Sequence, residues 1–303
     1  MYYETSLYHN NYETPGYRKY AILNQRASNI RNGILMFTRY SAKPIKAYFS
    51  LKDGIKFLLT TGLIIWFMFV GIGKLDYNWQ WYRIPKYLFT FTEGSFFAGP
   101  LLSGILVTLK ITAVSLIISS ILGLVTALLR LSDSFAARTL SRVYMELVRN
   151  TPLLVQIFFI YFVISPVMGF NRFISAILAL SLFEGAYASE IFRAGILSIH
   201  KGQWEAAYSI GLNRWNMYRH VILPQAIRHM LPPLVSQAIS LIKDSALVST
   251  IAIFDLTMQG EQIIAETYMV FELWFIIAAI YLLMTATLSF AVNIMEKRLA
   301  VDV

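Results

Sequence analysis

The chain contains no cysteine, which excludes a disulfide framework, a thiol nucleophile, a cysteine-based zinc site and iron–sulfur ligation. Charge is scarce as well. Asp, Glu, Lys and Arg supply 14% of the 303 residues, where soluble domains carry about 25%; so few charges do not cover a water-facing surface. The four histidines, His9, His200, His220 and His229, fall at no metal-ligand spacing. There is no H-E-x-x-H, no nucleophile elbow and no G-x-x-x-x-G-K-[ST] phosphate loop. Without that loop the chain is not expected to hydrolyse ATP itself, and no cofactor or metal is expected in it.

What is abundant is apolar. Hydrophobic residues make up 57% and the mean hydropathy is +0.56, the composition of an integral membrane protein. A spanning helix needs about 20 mainly apolar residues, and six candidates occur, at 57–72, 111–129, about 147–168, 173–192, 234–254 and 270–294. Pro152, Pro166 and Pro233 read as lying near span ends, where a missing N–H costs least. A cleavable signal peptide is not expected, because the first apolar run starts near residue 57 and lacks an A-x-A-like site.

The formal charge is +9, and its distribution sets an orientation. Twenty Lys and Arg fall in residues 1–56, 130–149, 193–230 and the C-terminal end, against four (Lys74, Arg83, Lys86, Arg172) on the opposite side. Basic loops stay inside; both termini and the 193–230 loop are therefore expected in the cytoplasm. Residues 1–50 hold eight tyrosines without a clear period and read either as a loosely ordered tail or as a docking segment for a partner. Residues 77–97 are packed with Trp, Tyr and Phe, which suits the headgroup level on the outer side.

The 193–230 loop is the most informative stretch. It reads as two short helices, about 203–210 and 214–220, separated by Gly211, a residue suited to a left-handed helix stop, and by Asn213, a plausible N-cap. Pro224 then restarts the chain toward the membrane. Glu205, Ala206 and Ala207 beside the stop glycine describe a compact knob able to fit a groove on another protein.

Glu205-Ala206-Ala207, three residues, Gly211, nine residues, then Val221-x-Leu223-Pro224 resembles the EAA signature of ABC-importer permease subunits, with Val221 where isoleucine is commonest. Further segments resemble the polar amino-acid uptake branch, the histidine/glutamine/glutamate permease type. They are Thr108-Leu109-Lys110-Ile111-Thr112, Arg149-Asn150-Thr151-Pro152-Leu153-Leu154-Val155-Gln156, Glu190-Ile191-Phe192-Arg193-Ala194-Gly195, Lys201-Gly202-Gln203-Trp204-Glu205, Leu223-Pro224-Gln225-Ala226 and the run Lys243 to Ser249. The resemblance covers about residues 97–300. It implies an all-α membrane protein of about six transmembrane helices, the last five forming the permease core. A basic tail (1–56) and an extra helix with the aromatic segment (57–96) precede that core. It implies a coupling role for Glu205, Ala206, Ala207, Gly211, Leu223 and Pro224, with ATP and Mg bound on a separate ATPase subunit. Expected partners are that ATPase, a second permease (the same chain or a paralogue) and an extracytoplasmic amino-acid-binding protein. The expected cargo is a polar amino acid of the glutamate or glutamine kind, carried across a prokaryotic inner membrane.

Charged groups at membrane depth cost on the order of 2.5–3.5 kcal/mol each by insertion scales and default to functional hypotheses. Glu184 falls near the middle of the fourth span, where it either receives a substrate ammonium or, protonated, bonds a neighbouring helix. Lys243 and Asp244 read as mid-way along the fifth span. Lys243 is either a gate or substrate-carboxylate contact or a structural group. Neighbours in sequence do not face each other on a helix, so the two are expected to pair differently. Glu190 and Arg193, one turn apart, read as a local pair, and Lys110 as a snorkelling side chain at the outer end of its span. These intramembrane charges also fit a rival reading, a secondary carrier driven by an ion gradient; the knob and the missing inverted repeat speak against it.

Overall fold

The computed structural model describes residues 51–74, 77–92 and 95–299. It divides into two compact units, residues 1–77 and 78–303, taken here one at a time. In the first, helix α1 (Leu51–Gly73) contains the expected 57–72 span and starts six residues earlier. Its apolar side chains, among them Phe57, Leu63, Trp66 and Phe69, are exposed, as suits a helix that meets lipid on its surface. The Thr60 hydroxyl donates to the carbonyls of Lys56 and Phe57, so its polarity is satisfied within the helix. Most of the basic tail, residues 1–50, lies outside the described residues.

The second unit opens with a 3-10 turn (Trp81–Arg83), a short helix α2 (Pro85–Leu88) and a hairpin, β1 (Phe89–Thr92) with β2 (Ser95–Ala98). The strands are antiparallel, Phe89 opposite Ala98 and Thr92 opposite Ser95. The fold is otherwise helical, as expected; in this short hairpin aromatic and threonine residues in alternation favour a pleated strand over a helix. The segment is tied to the last span, since the Gln80 N–H donates to Glu272 at 2.6 Å and Trp79 and Trp81 lie 5.8 and 6.3 Å from the Phe271 and Phe275 rings.

Next come α3 (Pro100–Leu131), α4 (Phe135–Arg149), α5 (Leu153–Phe159), a π turn (Ile160–Ile164), α6 (Ser165–Met168) and α7 (Arg172–Leu197). The expected third span began at 147; the chain instead turns by 105° between α4 and the 153–168 stretch. Pro152 pushes Thr151 out of the helical region, and Gln156 covers the carbonyls left open at the end of α4, its Nε2 donating to Val148 and Thr151 oxygens at 2.8 and 3.1 Å. Among the described residues five helices are long and apolar enough to span, or six with this bent pair counted as one span. The expected six therefore includes a broken helix.

α3 and α7 pack through small residues. A Cβ added at Gly123 would lie 2.7 Å from Ala188 Cβ and 3.0 Å from Ser189 N, and one at Gly185 3.1 Å from Leu122 Cβ. Ser115, Ser119 and Thr126 on α3 and Ser181 and Ser189 on α7 are buried around that seam. Among lipid tails, close approach of this kind is what holds helices together. The charges on these two helices mark the bilayer limits. Lys110 to Arg130 on α3 and Arg172 to Glu190 on α7 each cover about 27–30 Å at a rise of 1.5 Å per residue, close to the thickness of the hydrocarbon core. Lys110, 5.3 Å from the Phe173 ring, sits at one limit as expected, although α3 runs on for another ten residues beyond it to Pro100.

The remaining elements are α8 (Lys201–Ser209), α9 (Arg214–Met217), a π turn (Tyr218–Ile222), α10 (Leu223–Asp244), a 3-10 turn (Ser245–Ile251), α11 (Leu256–Thr267) and α12 (Val270–Leu299). Pro224 does not restart the chain. Arg214–Ile251 runs as one 38-residue helical stretch; the π turn just before Pro224, closed by the Leu223 N–H donating to Tyr218 O, takes up the break that the missing N–H at 224 makes in the bond pattern. Nor is Pro233 near a span end: with Pro232 it lies inside α10. Arg228 and His229, whose carbonyls the two prolines leave without a helical donor, are exposed, so other donors can reach them.

α11 docks on α3 at Gly104, where an added Cβ would meet Leu256 Cα at 2.8 Å. The Leu256 N–H donates to the Thr108 hydroxyl at 3.2 Å. Asp255, in the turn between the last two spans, caps α11 by accepting from the Met258 N–H at 2.9 Å. Burial pushes its carboxyl up to about 6, against the pull of the Met258 and Thr257 amides and the Tyr281 hydroxyl. A folded-state value above the ordinary one means that the folded protein binds the proton more tightly, so stability falls as pH rises from about 4 through 6. Asp255→Asn keeps the capping oxygen and removes the charge. Its melting temperature should therefore gain on the parent's as pH rises from 4 to 7, and a gap independent of pH would contradict this assignment.

Candidate functional site

The knob is built as its sequence directs, with one exception. α8 begins at His200, whose ring nitrogen accepts from the Gly202 N–H at 3.1 Å. It ends at Gly211, with φ at +77°. There the Gly211 N–H donates to Tyr208 O at 2.9 Å and the Leu212 N–H to Ala207 O at 3.1 Å, the paired bonds of a left-handed helix stop. Asn213 then caps α9 by accepting from the Asn216 N–H at 2.8 Å. The exception is the second helix, which does not end at His220 but passes through the π turn into α10.

The EAA triplet divides between two faces. Ala207 is 3% exposed and packs with Ile196, Ile199, Met217, Ile222, Ala226 and Met230, which seats α8 on the ends of α7 and α10. Trp204 meets Tyr218 edge-on at 5.4 Å, and Gln225 Nε2 donates to Gln203 Oε1 at 3.3 Å. Glu205 and Ala206 face outward, Glu205 pairing with Lys201 at 3.3 Å on the surface. Leu223 and Pro224 stand apart from the tip, in the first turn of α10. The sequence reading missed the tip's apolar surface: Tyr208, Ile210 and Trp215 are exposed, the last two at 76% and 70%. Ile210 and Trp215 bracketing the glycine break in a polar loop were the available signal.

A second group lies at membrane depth. Glu184 of α7 is buried at 1% exposure. Its Oε2 accepts from Gln237 of α10, and Asp244 at the end of α10 acts on it electrostatically. Asp244 is thus an electrostatic neighbour of Glu184 that the sequence did not reveal, while Glu184 Oε1 is buried without a hydrogen-bond partner among the described residues. Lys243 and Asp244 lie where α10 tightens into the 3-10 turn, inside the 214–251 helical stretch. Lys243 is exposed and makes no ion pair among the described residues. Two carboxyls at such depth are tolerated when a proton or a cation lies between them.

Glu190 was read as a local partner of Arg193. The local pair is present at 3.0 Å, and two further arginines join it, Arg130 of α3 at 2.8 Å and Arg149 of α4 at 3.2 Å. One carboxylate therefore ties three helices at one membrane limit.

Comparison with known proteins bears on all of these groups. Residues 119–301 match the model of the family described as the binding-protein-dependent transport system inner membrane component. The glutamine transport system permease protein GlnP of Escherichia coli K12 is 39% identical over 206 residues, covering 66% of this chain and 93% of that protein. The L-cystine transport system permease protein TcyB of Bacillus subtilis is 42% identical over 203 residues, covering 66% and 87%. Among solved structures, an amino acid ABC transporter crystallised with histidines superposes with a TM-score of 0.62 at 40% identity, covering 66% of this chain and 94% of that one. An inward-facing MetNI methionine ABC transporter, at 20% identity and a TM-score of 0.57 over 66% of this chain and 96% of that one, shares the fold.

Proposed function

The chain belongs to the family of binding-protein-dependent transport system inner membrane components, and from that premise we propose how its parts serve transport. It is a multi-pass membrane protein, the permease subunit of an ATP-driven amino-acid importer, and a separate subunit hydrolyses the ATP. The family sets aside the ion-gradient-driven carrier. The observation that carries the coupling reading is the outward Glu205-Ala206 edge and the apolar tip, held on a helix stop that needs a positive φ. This knob seats in a groove of the ATPase, which binds ATP and Mg. Closure of two ATPases moves α8 together with the 214–251 helix and shifts the bundle between inward-open and outward-open forms. The second permease is another copy of this chain or a paralogue, and the cargo arrives from an extracytoplasmic binding protein. Glu205→Lys reverses the charge on the exposed face and leaves the buried Ala207 side untouched. It should insert and fold normally yet retain less than about a tenth of the co-purifying ATPase; retention at parental stoichiometry would contradict the docking.

The cargo is a polar amino acid, glutamate- or glutamine-like. Its ammonium meets the Glu184–Asp244 pair and its carboxylate meets Lys243, near the point where α7 and α10 face each other. Support comes from a carboxyl buried on both helices' shared side and an exposed cation at the neighbouring position. Glu184→Gln keeps shape and hydrogen bonding and removes the charge. Uptake should fall at least about tenfold with ATPase binding unchanged, on the scale of a charged hydrogen bond lost. Parental uptake would take Glu184 off the path.

The knob and both chain ends lie in the cytoplasm, as the basic residues direct. Because the native chain has no cysteine, single cysteines at Ser6 and Gly94 report the sides. An impermeant reagent on intact cells should label position 94 and spare position 6, and the opposite pattern would reverse the topology.

A further inference from the structure

One cavity takes no part in the knob or the Glu184 cluster. It measures about 560 Å³ and is lined by five arginines, Arg130, Arg138, Arg142, Arg149 and Arg193, against two carboxylates, Glu146 and Glu190. Glu190 is already committed to three of the arginines. Arg138 and Arg142, one turn apart on α4, are exposed and make no ion pair among the described residues. The cavity thus carries an unbalanced positive charge at the level of Arg130 and Glu190, the inner limit of the hydrocarbon.

Helix α4 has the shape of an element that lies in a bilayer surface. It is turned by 105° from the 153–168 stretch, hence nearly parallel to the membrane plane where that stretch crosses. Its periodicity gives three faces. Ser141 and Met145 are buried, and Tyr144 is half-buried with its hydroxyl donating to Leu182 O at 2.6 Å, which fixes the helix on α7. At 100° per residue, Arg138, Arg142 and Arg149 fall along one flank. Leu140, Val143 and Leu147 fall along the other and are 67%, 48% and 64% exposed. Beside Leu147, an apolar groove of about 660 Å³ runs past Val155, Phe159 and Leu182. Arginine on one flank and exposed leucine on the other is the pattern of an interfacial helix, and basic pockets between helices at the inner face suit lipid headgroups.

We propose that α4 lies in the inner leaflet and that the arginine cavity holds the phosphate of an anionic phospholipid, whose acyl chains lie along Leu140, Val143 and Leu147. The charge of the cavity calls for an anion. The apolar flank at the same depth selects a lipid over a free phosphate. The choice of leaflet follows the orientation given above, whereas the lipid contact itself is read without any transport measurement.

The test uses the full-length chain in detergent, with native mass spectrometry counting retained lipids. The parent should hold phosphatidylglycerol in preference to phosphatidylcholine of the same chains, and Arg138→Gln with Arg142→Gln should lower that retention by about tenfold or more. Equal retention by the double variant, or displacement by millimolar inorganic phosphate, would overturn the proposal. A second reading does not depend on the arginines. A fluorophore on Leu140→Cys, the single thiol of the chain, should be quenched by a shallow nitroxide phospholipid in nanodiscs. Quenching by aqueous iodide instead, or by neither agent because protein covers the site, would equally overturn it.

Discussion

The approach of α3 to α7 through glycine and serine is the contact on which the rest of the structure depends. In lipid, apolar side chains gain nothing by leaving the bilayer for one another, so two helices stay together by backbone proximity and matched surfaces. Gly123 against Ala188 and Gly185 against Leu122 supply that proximity. The consequence is positional. With the helices locked at this register, Arg130 falls opposite Glu190, Thr108 reaches the start of α11, and the last turn of α7 leads directly into the knob. Any side chain at Gly123, alanine included, would push the helices apart and shift all three.

The knob and the buried carboxyls belong to one mechanical unit because the fifth span does not begin at Pro224. From Asn213, the cap of α9, the helix continues through a π turn to Asp244, with Gln237 bonded to Glu184 on the way. The cluster of Ile196, Met217, Ile222 and Met230 fixes α8 to this helix and to α7. A displacement applied at Glu205 therefore reaches both helices that carry the carboxyls, without a flexible joint between.

Much of this was legible in the residues. The knob's glycine stop and asparagine cap are local chemistry, decided within five residues, and both stand where the spacing puts them. The apolar runs located the long spanning helices among the described residues, since hydropathy is a property of the segment itself. What was not legible depends on partners distant in the chain. The turn at Asn150-Thr151-Pro152 looked like an ordinary span edge because its sharpness comes from Gln156 covering the open carbonyls. Pro233 suggested a boundary, yet the helix persists because tertiary packing outweighs propensity. Glu184 announced itself as an acid at depth, but its link to Asp244 arises only when α7 and α10 are brought side by side. The hairpin at 89–98 was hidden by an aromatic content that fits an interfacial segment as well as a strand.

The central claim is that this chain moves an amino acid only when a docked ATPase drives it. Purified permease, reconstituted in vesicles with its ATPase and binding protein and with no ion gradient, decides that claim. The account predicts accumulation of labelled amino acid that requires ATP on the knob side and ceases when the ATPase is left out. Uptake by the permease alone, driven by an imposed sodium or proton gradient, would contradict it.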